Sequence, residues 1–365
     1  MSSKKWKDAA TLIIAARNPF HKNNCANDSA VNRDVYDYKI LTIKRSNNSS
    51  FMPETFVFPG GHTEDSDACL EWLDLYSECG VNIRKLTELN NEIKSGPRDI
   101  FHSNSSGKIH QLISLRISAI RETFEECGLM LCKRRVTSQS EVADSWCSYL
   151  YGNETKEWQS RVQRNPSEFI NACRHFQCFP DIWSLKKWSN WLTPATFSKR
   201  FNAAFFLTTV NQIPPTNADN IEVSEIKWLT PGEVQRLADA GDITVPIPQL
   251  YEVARLSNFS SAESLRHFAE LRDAQPSQCW MSVHCACDDG MIFLLPGDDL
   301  YPAGEDLEAR REVETLVGSV EALRAGAARL NRLESRGTRW RVVSNLGSDL
   351  AGGRVFPCPP APAKL

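Results

Sequence analysis

No apolar run in the 365 residues approaches the roughly 18 needed to cross a bilayer. Neither sign of charge is in excess: 42 Lys and Arg face 45 Asp and Glu, a net charge of −3. That balance argues against a duplex nucleic-acid binder, which needs a basic face. The 12 cysteines show no disulfide framework, and their density is far below that of a small disulfide-stapled scaffold. His284-Cys285-Ala286-Cys287 could seed a metal site, but zinc takes four ligands, usually in paired clusters, and the chain has no second cluster. The cysteines therefore read as free thiols in a reducing compartment. There is no internal repeat and no clean linker. What remains is ordinary globular composition, 41% hydrophobic and 24% charged, which excludes collagen, a disordered tail and a miniprotein. At roughly 100–200 residues per domain, the length fits two domains or one enlarged by insertions.

The two ends carry signals of their own. Lys4, Lys5 and Lys7 before the apolar stretch Ala9–Ala16 resemble a signal peptide. Arg17 closes that stretch after eight residues, so a buried β-strand is the expectation. The last residues, Ala363, Lys364 and Leu365, match a peroxisomal address read by an import receptor. Pro357, Pro359, Pro360 and Pro362 keep that end extended. A peroxisomal matrix location is expected, with the cytosol as the alternative.

Along the chain, residues 9–16 and 38–45 read as strands, with Ile40 and Thr42 on one face and Leu41 and Ile43 on the other. Residues 18–34 read as a polar loop. Glu54–Phe58 reads as a short strand stopped by Pro59-Gly60-Gly61. Residues 65–95 suggest helices, and Ser114–Leu131 is a clear amphipathic helix that Gly128 can end. Residues 139–176 look helical. Trp188–Leu192, Ala203–Val210 and Ile221–Leu229 look like strands. Pro231 opens a helix over Glu233–Ala240. Residues 249–272 read as a helix, 280–295 as a hairpin around Asp289-Gly290, and 305–335 as an Arg/Glu/Ala/Leu-rich helix. Interleaved strands and helices define an α/β (α+β) class.

Arg121-Glu122-Thr123-Phe124-Glu125-Glu126-Cys127-Gly128-Leu129 is the densest chemical clue. On a helix, Glu122, Glu125 and Glu126 occupy i, i+3 and i+4 and share a face. Like charges so placed repel by about 0.2–0.5 kcal/mol per pair even in water. A neutralising partner is expected. It could be Arg116 or Arg121 on a solvated acidic face, or a divalent cation. Magnesium, a hard ion held by carboxylates and substrate phosphates, suits such a set. The second clue is Phe56–Gly61, a strand running into Pro-Gly-Gly that bares backbone to close approach by a ligand.

Together these residues resemble the Nudix hydrolase family. Its signature runs glycine, five residues, Glu, seven residues, then Arg-Glu-aliphatic-x-Glu-Glu-x-Gly-aliphatic. Arg121–Leu129 supplies the second half, with Thr123 at an aliphatic position, and Gly61 begins the first. Asp67 stands where the family has Glu. Gly61 and Arg121 lie 121 − 61 = 60 positions apart, against 14 in the plain signature, a surplus of 46. A box split in this way is similar to the branch of the family that cleaves coenzyme A. Further stretches resemble that branch, among them Trp6–Ala10, Lys44-Arg45-Ser46, Trp191–Pro194, Trp228–Pro231 and Leu295–Asp298.

The resemblance implies a Nudix fold, a mixed β-sheet sandwiched between helices. It implies a Nudix domain over residues 1–250 with a helical insertion at about 68–113, and a C-terminal extension over 251–365 packing on it. It implies metal-dependent hydrolysis of the pyrophosphate of coenzyme A and acyl-coenzyme A to 3′,5′-ADP and (acyl-)4′-phosphopantetheine. The alternatives are another dinucleotide such as NADH or ADP-ribose, or a non-catalytic nucleotide-binding module. Glu122 and Glu126 would bind Mg²⁺ or Mn²⁺, with Glu125 as third ligand or base, and the Gly61 carbonyl would complete the shell. Arg121 would orient the carboxylates, and Asp67 would support them with a shorter reach. Glu222 and Glu225 are candidate bases from outside the box. Lys44, Arg45, Lys199 and Arg200 are candidates for the substrate's 3′-phosphate. Trp183, Trp188 and Trp191 could stack on adenine or fill the core, and Phe51 and Met52 could line the pantetheine path. No nucleic-acid partner is expected.

Overall fold

The structure is a computed structural model, and it describes residues 6–18, 35–89, 100–102, 107–135, 146–219, 221–302 and 313–357. The expectations for the loop at 19–34, for residues 139–145, for 305–312 and for Ala363, Lys364 and Leu365 lie outside the described residues.

The first half contains β1 (Lys7–Arg17), β2 (Tyr38–Arg45), β3 (Phe56–Val57), β4 (Gly60–His62), α1 (Glu71–Glu78), α2 (Ile83–Glu88), α3 (Gln111–Cys127) and β5 (Met130–Arg134). Next come β6 (Tyr149–Leu150), α4 (Asn153–Arg164), α5 (Glu168–His175), β7 (Cys178–Pro180), β8 (Lys186–Leu192), β9 (Phe201–Val210) and β10 (Val223–Leu229). The remainder is α6 (Pro231–Ala240), α7 (Ile247–Leu256), α8 (Ala262–Asp273), β11 (Cys279–Trp280), β12 (Val283–Cys287), β13 (Gly290–Leu294), β14 (Glu314–Thr315), α9 (Val320–Ala325), β15 (Asn331–Arg336) and β16 (Arg339–Ser344).

The central sheet runs β10-β2-β1-β9-β8-β11, with β3 on β2 and β4 on β1. Parallel β9 takes one edge of β1 from Lys7 to Ala16. The other edge of β1 is shared: β2 pairs with Ala15–Arg17, and β4 pairs with Ala9–Thr11. Strand alternation sends side chains into two different cores. Ala10, Leu12, Ile14, Leu41 and Ile43 join a core on the α3 side. Ile13, Ala15, Tyr38 and Ile40 join one with α6, α7 and α8. With both faces covered, the strands read as nearly continuous apolar runs.

Several elements depart from the sequence reading. The short strand expected before Pro59-Gly60-Gly61 does end there, at Val57, but Gly60-Gly61 then opens a new strand, β4, because its backbone finds β1. Helix α3 stops at Cys127, four residues before the expected Leu131. Gly128 adopts the left-handed conformation at φ 67° and donates its N–H to the Phe124 carbonyl, which frees Met130 and Leu131 to start β5. Residues 249–272 form two helices, because the Ser261 side chain caps a new start by accepting from Ser264 N–H. The expected helix over 305–335 is replaced, within the described residues, by β14, the short α9 and β15. Composition suggested helix there, but Asn331–Arg336 pairs with β13 and β16 along its length. Helix α6 matches its sequence signals fully: Pro231 opens it, Thr230 and Glu233 cap each other's backbone, and Gly241 ends it at φ 80°.

The C-terminal sheet, β14-β12-β13-β15-β16, lies against the second core. Phe293, Leu295, Leu333 and Val355 are buried in that core with Trp188 and Tyr251. The Tyr251 hydroxyl bonds to Asn331 Oδ1 at 2.9 Å, and Arg255 Nε donates to the Val355 carbonyl at 2.9 Å. Among the described residues no helix is long and apolar enough to cross a membrane.

Candidate active site

Helix α3 is not a surface helix with one polar stripe. From Leu112 to Cys127 every residue except Glu125 is buried, and Glu122 is the most exposed of the others at 8%. Its acidic face is enclosed by β4 and by a 3₁₀ turn at Asp65–Ala68. Arg121 sits at the centre of that enclosure, 1% exposed. Its Nε donates to Asp67 Oδ1 at 2.7 Å, and Nη2 donates to Asp67 Oδ2 at 2.9 Å and to the His62 carbonyl at 3.1 Å. Nη1 donates to Glu122 Oε1 at 2.9 Å and to Glu125 Oε1 at 2.6 Å. All five N–H groups of the guanidinium are thereby satisfied.

Asp67 reaches Arg121 with both oxygens despite lacking the methylene of Glu. The 3₁₀ turn carries its backbone inward, and Asp67 Oδ2 also accepts the Glu64 N–H at 2.9 Å. The fork–fork pairing fixes Arg121 in plane. Gly60 donates its N–H to Glu126 Oε2 at 2.8 Å. At Gly61 a Cβ would stand 2.5 Å from the Glu122 carboxyl carbon, so only glycine lets that carboxylate lie against β4.

Three carboxylates, those of Asp67, Glu122 and Glu125, thus surround one guanidinium, and a fourth, Glu126, is held beside them by the Gly60 N–H. Burial raises the Glu122 carboxyl above its ordinary value, against the pull of Arg121. Burial likewise pushes Glu125 up, to about 8. Burial and the Glu122 charge push Glu126 well above the ordinary range, opposed by the Gly60 N–H and the Arg45 charge. Burial also works against the Arg121 charge, but Glu122, Asp67 and Glu125 outweigh it and keep the guanidinium firmly protonated. The cluster needs more positive charge than one arginine supplies. Its donors are all hard oxygens, the set that Mg²⁺ or Mn²⁺ takes. As the side chains stand, turned to Arg121 and Gly60, no three His, Cys, Asp or Glu among the described residues are placed to hold a metal ion. The His284–Cys287 stretch lies on β12 and forms no such group either.

The other candidates separate clearly. Arg45 and Glu222 both stand close enough for their charges to be felt at Glu126. Val223 pairs with Arg45 across β10 and β2, and Ser46 N–H donates to the Glu222 carbonyl at 2.8 Å. Lys44 is held by Glu54 at 2.6 Å, and Glu225 by Lys227 at 3.1 Å. Lys199 donates to the Ser50 carbonyl at 3.2 Å. Arg200 is buried with its guanidinium 3.7 Å from the Trp6 ring centroid, a packing role. Trp188 and Trp191 are core residues whose indole N–H groups bond to buried Glu252 at 2.6 and 2.7 Å. Trp183 packs edge-on against Tyr76 and Phe179. Phe51 meets Phe197 and Phe201. Two groups of the site are absent from the sequence reading: Gly60 as a hydrogen-bond donor and the His62 carbonyl as an Arg121 acceptor. The Pro-Gly-Gly turn is the signal that could have found them.

A mixed sheet between two helical layers, with an Arg-Glu helix locked against a Gly-Gly strand, defines the class of Nudix hydrolases. Two family models match: the NUDT19 Nudix domain over residues 6–256 and the NUDT19 C-terminal domain over residues 284–344. The chain belongs to the NUDT19 family of Nudix hydrolases. It is 38% identical over 339 residues to the Xenopus laevis protein named acyl-coenzyme A diphosphatase NUDT19, covering 88% of this chain and 87% of that one. To the Homo sapiens protein of the same name it is 31% identical over 311 residues, covering 83% and 82%. A crystal structure of a Nudix hydrolase from Alicyclobacillus acidocaldarius superimposes with a TM-score of 0.49 at 16% identity, covering 72% of this chain and 96% of that one.

Proposed function

We propose that this protein hydrolyses the pyrophosphate of coenzyme A and acyl-coenzyme A, releasing 3′,5′-ADP and (acyl-)4′-phosphopantetheine. The observation that carries this reading is the likeness, over most of both chains, to proteins named acyl-coenzyme A diphosphatase. The fully assembled box supports it, and sets it apart from a degenerate nucleotide-binding module.

Nudix hydrolases as a class require a divalent metal. Here Glu122, Glu125, Glu126 and the Gly61 carbonyl would hold Mg²⁺ or Mn²⁺. Such an ion supplies the charge that a buried polyanionic pyrophosphate needs. Arg121, immobilised by Asp67, holds Glu122 and Glu125 in place, and Gly60 holds Glu126. Arg45 is the basic residue best placed for the substrate's phosphates; Lys44, its neighbour on β2, points to the opposite face and is paired with Glu54. We assign no substrate contact to Lys199 or Arg200. Water attacks one phosphorus, the bridging P–O bond breaks, and the second phosphate leaves with the bond electrons. Of the two glutamates outside the box, Glu222 accepts the proton of that water, because its backbone is joined to Ser46, next to Arg45, while Glu225 is paired with Lys227.

The test is product analysis of the purified protein with Mg²⁺ and coenzyme A, several of its esters, NADH and ADP-ribose. Appearance of 3′,5′-ADP is the expected result. Cleavage of NADH or ADP-ribose alone would contradict the substrate. Where Leu365 is the carboxyl terminus of the protein, Ala363-Lys364-Leu365 is offered to the peroxisomal import receptor. Deleting those three residues should then leave the protein in the cytosol, and unchanged import would sink that reading.

A further inference from the structure

The last turn of α3 is finished by residues from outside the box. A helix leaves its final four carbonyls without partners within the helix. The Phe124 carbonyl takes the Gly128 N–H, but the Glu125 carbonyl accepts from Gln159 Nε2 at 2.9 Å, and the Cys127 carbonyl from Asn217 N–H at 2.8 Å. Gln159 lies on α4 and is 3% exposed. Its amide also bonds to both ends of Asn217: Nε2 donates to the Asn217 carbonyl at 3.2 Å, and Oε1 accepts from Asn217 Nδ2 at 3.1 Å. One helical turn further along the same face of α4, Gln163 Nε2 donates to the Asp219 carboxylate.

Asp219 in turn organises the backbone on its C-terminal side. Its Oδ1 accepts the backbone N–H of Ile221 at 3.0 Å, of Glu222 at 3.1 Å and of Val223 at 2.9 Å. A carboxylate taking three successive N–H groups fixes the backbone direction of that segment. From there the chain enters β10 with Val223 opposite Arg45. The segment is therefore tied at one end to Cys127, the residue after Glu126, and at the other to the strand end that carries Arg45. Glu222 sits between those ties.

We propose that Asp219 and Gln159 are positioning residues. Together they lock the segment bearing Glu222 onto the end of the catalytic helix, and so set where the Glu222 carboxylate stands relative to Glu126. The inference rests on reading the α3 box as the hydrolytic site, and it gives α4 a task in the reaction. Asp219 is only half-buried, so its loss releases the loop without opening a core.

The test is a cycle of Asp219→Ala and Glu222→Gln on the full chain. A proton acceptor is worth roughly a hundredfold or more in rate, so Glu222→Gln should lower kcat about a hundredfold. Asp219→Ala should lower it about tenfold with KM unchanged. The double variant should be within about twofold of Glu222→Gln alone, since the position of an absent carboxylate no longer matters. Asp219→Asn keeps an acceptor oxygen and should recover most of the rate. Gln159→Leu should behave like Asp219→Ala. Multiplicative losses in the double variant, or a normal kcat in Asp219→Ala or in Glu222→Gln, would overturn the proposal. Should coenzyme A fail as substrate, the same cycle run on whichever dinucleotide is cleaved tests the positioning separately. Hydrogen exchange tests it without turnover: Asp219→Ala should speed exchange at residues 221–223 while α3 stays protected. Unchanged exchange there would also overturn it.

Discussion

At the scale of single residues, the site is organised by Arg121 and its opposite number Asp67. Each is 1% exposed, and they meet through two hydrogen bonds of 2.7 and 2.9 Å. Removing one partner of a buried pair strands the other and costs about 3–5 kcal/mol. Asp67→Ala should lower unfolding stability by that order in denaturant melts, and a loss below about 1 kcal/mol would show that the pair is dispensable. Glu125 gives a pH signature. Its carboxyl is pushed up to about 8 in the folded protein, against an ordinary 4.5. Between those values the native state holds a proton that the unfolded chain has released, so metal-free stability should fall as pH rises from about 4.5 to 8. Millimolar Mg²⁺ should flatten that fall by taking the proton's place. Denaturation midpoints with and without Mg²⁺ check this, and a metal-free midpoint that climbs with pH would contradict it. The three glutamates were legible in the sequence because helical spacing puts them on one face, and the role of Arg121 because the stretch resembles the Nudix signature. The reach of Asp67 was not, because it depends on a 3₁₀ turn lying 54 residues away along the chain from Arg121.

At the scale of elements, the strands and the capped helices were legible where local signals agree, as at Thr230–Gly241. The sequence misled where composition stood in for pattern. The Arg- and Glu-rich stretch before Arg336 looked helical, yet Arg332 is fully buried on β15, bonded to Asp298 through Nε at 2.6 Å and Nη2 at 2.5 Å. The tryptophans of β8 were ambiguous for the same reason, since no local rule says what lies opposite. The answer is Glu252 on α7, fully buried, accepting from Trp188, Ser189, Trp191 and Arg255 at 2.6–2.8 Å. Glu252→Leu takes the acceptor from Trp188, Ser189 and Trp191 and the counter-charge from Arg255, and should cost about 3–5 kcal/mol. At 25 °C the folded fraction should keep its kcat, because none of these groups belongs to the carboxylate cluster. A lowered kcat with unchanged melting temperature would assign Glu252 to the site instead.

At the scale of the whole molecule, the enlarged length resolves into material serving two sides of one sheet. The segment between Gly61 and Arg121 supplies α1 and α2 to the core beside α3. We propose that residues 251–365 act as an extension that completes the opposite core. Phe293, Leu295, Leu333 and Val355 share that core with Trp188 and Tyr251. A chain ending at residue 256 would uncover this apolar surface and should be insoluble or aggregated in size-exclusion chromatography, whereas a monomeric, cooperatively folding product would make the extension independent. In the extension the hairpin at 280–295 was legible from Asp289-Gly290 and appears as β12 and β13, whereas β15 was not, since a short strand paired at long range leaves weak periodic marks.

The measurement that bears most directly on the assignment of the α3 box as a coenzyme A diphosphatase site is hydrolysis of coenzyme A and its esters in Mg²⁺ by the wild-type chain and by Glu126→Gln, with products identified. The wild type should release 3′,5′-ADP, and the variant should lose roughly a hundredfold or more of that rate with its melting temperature preserved. No 3′,5′-ADP from the wild type, or undiminished turnover in Glu126→Gln, would contradict it.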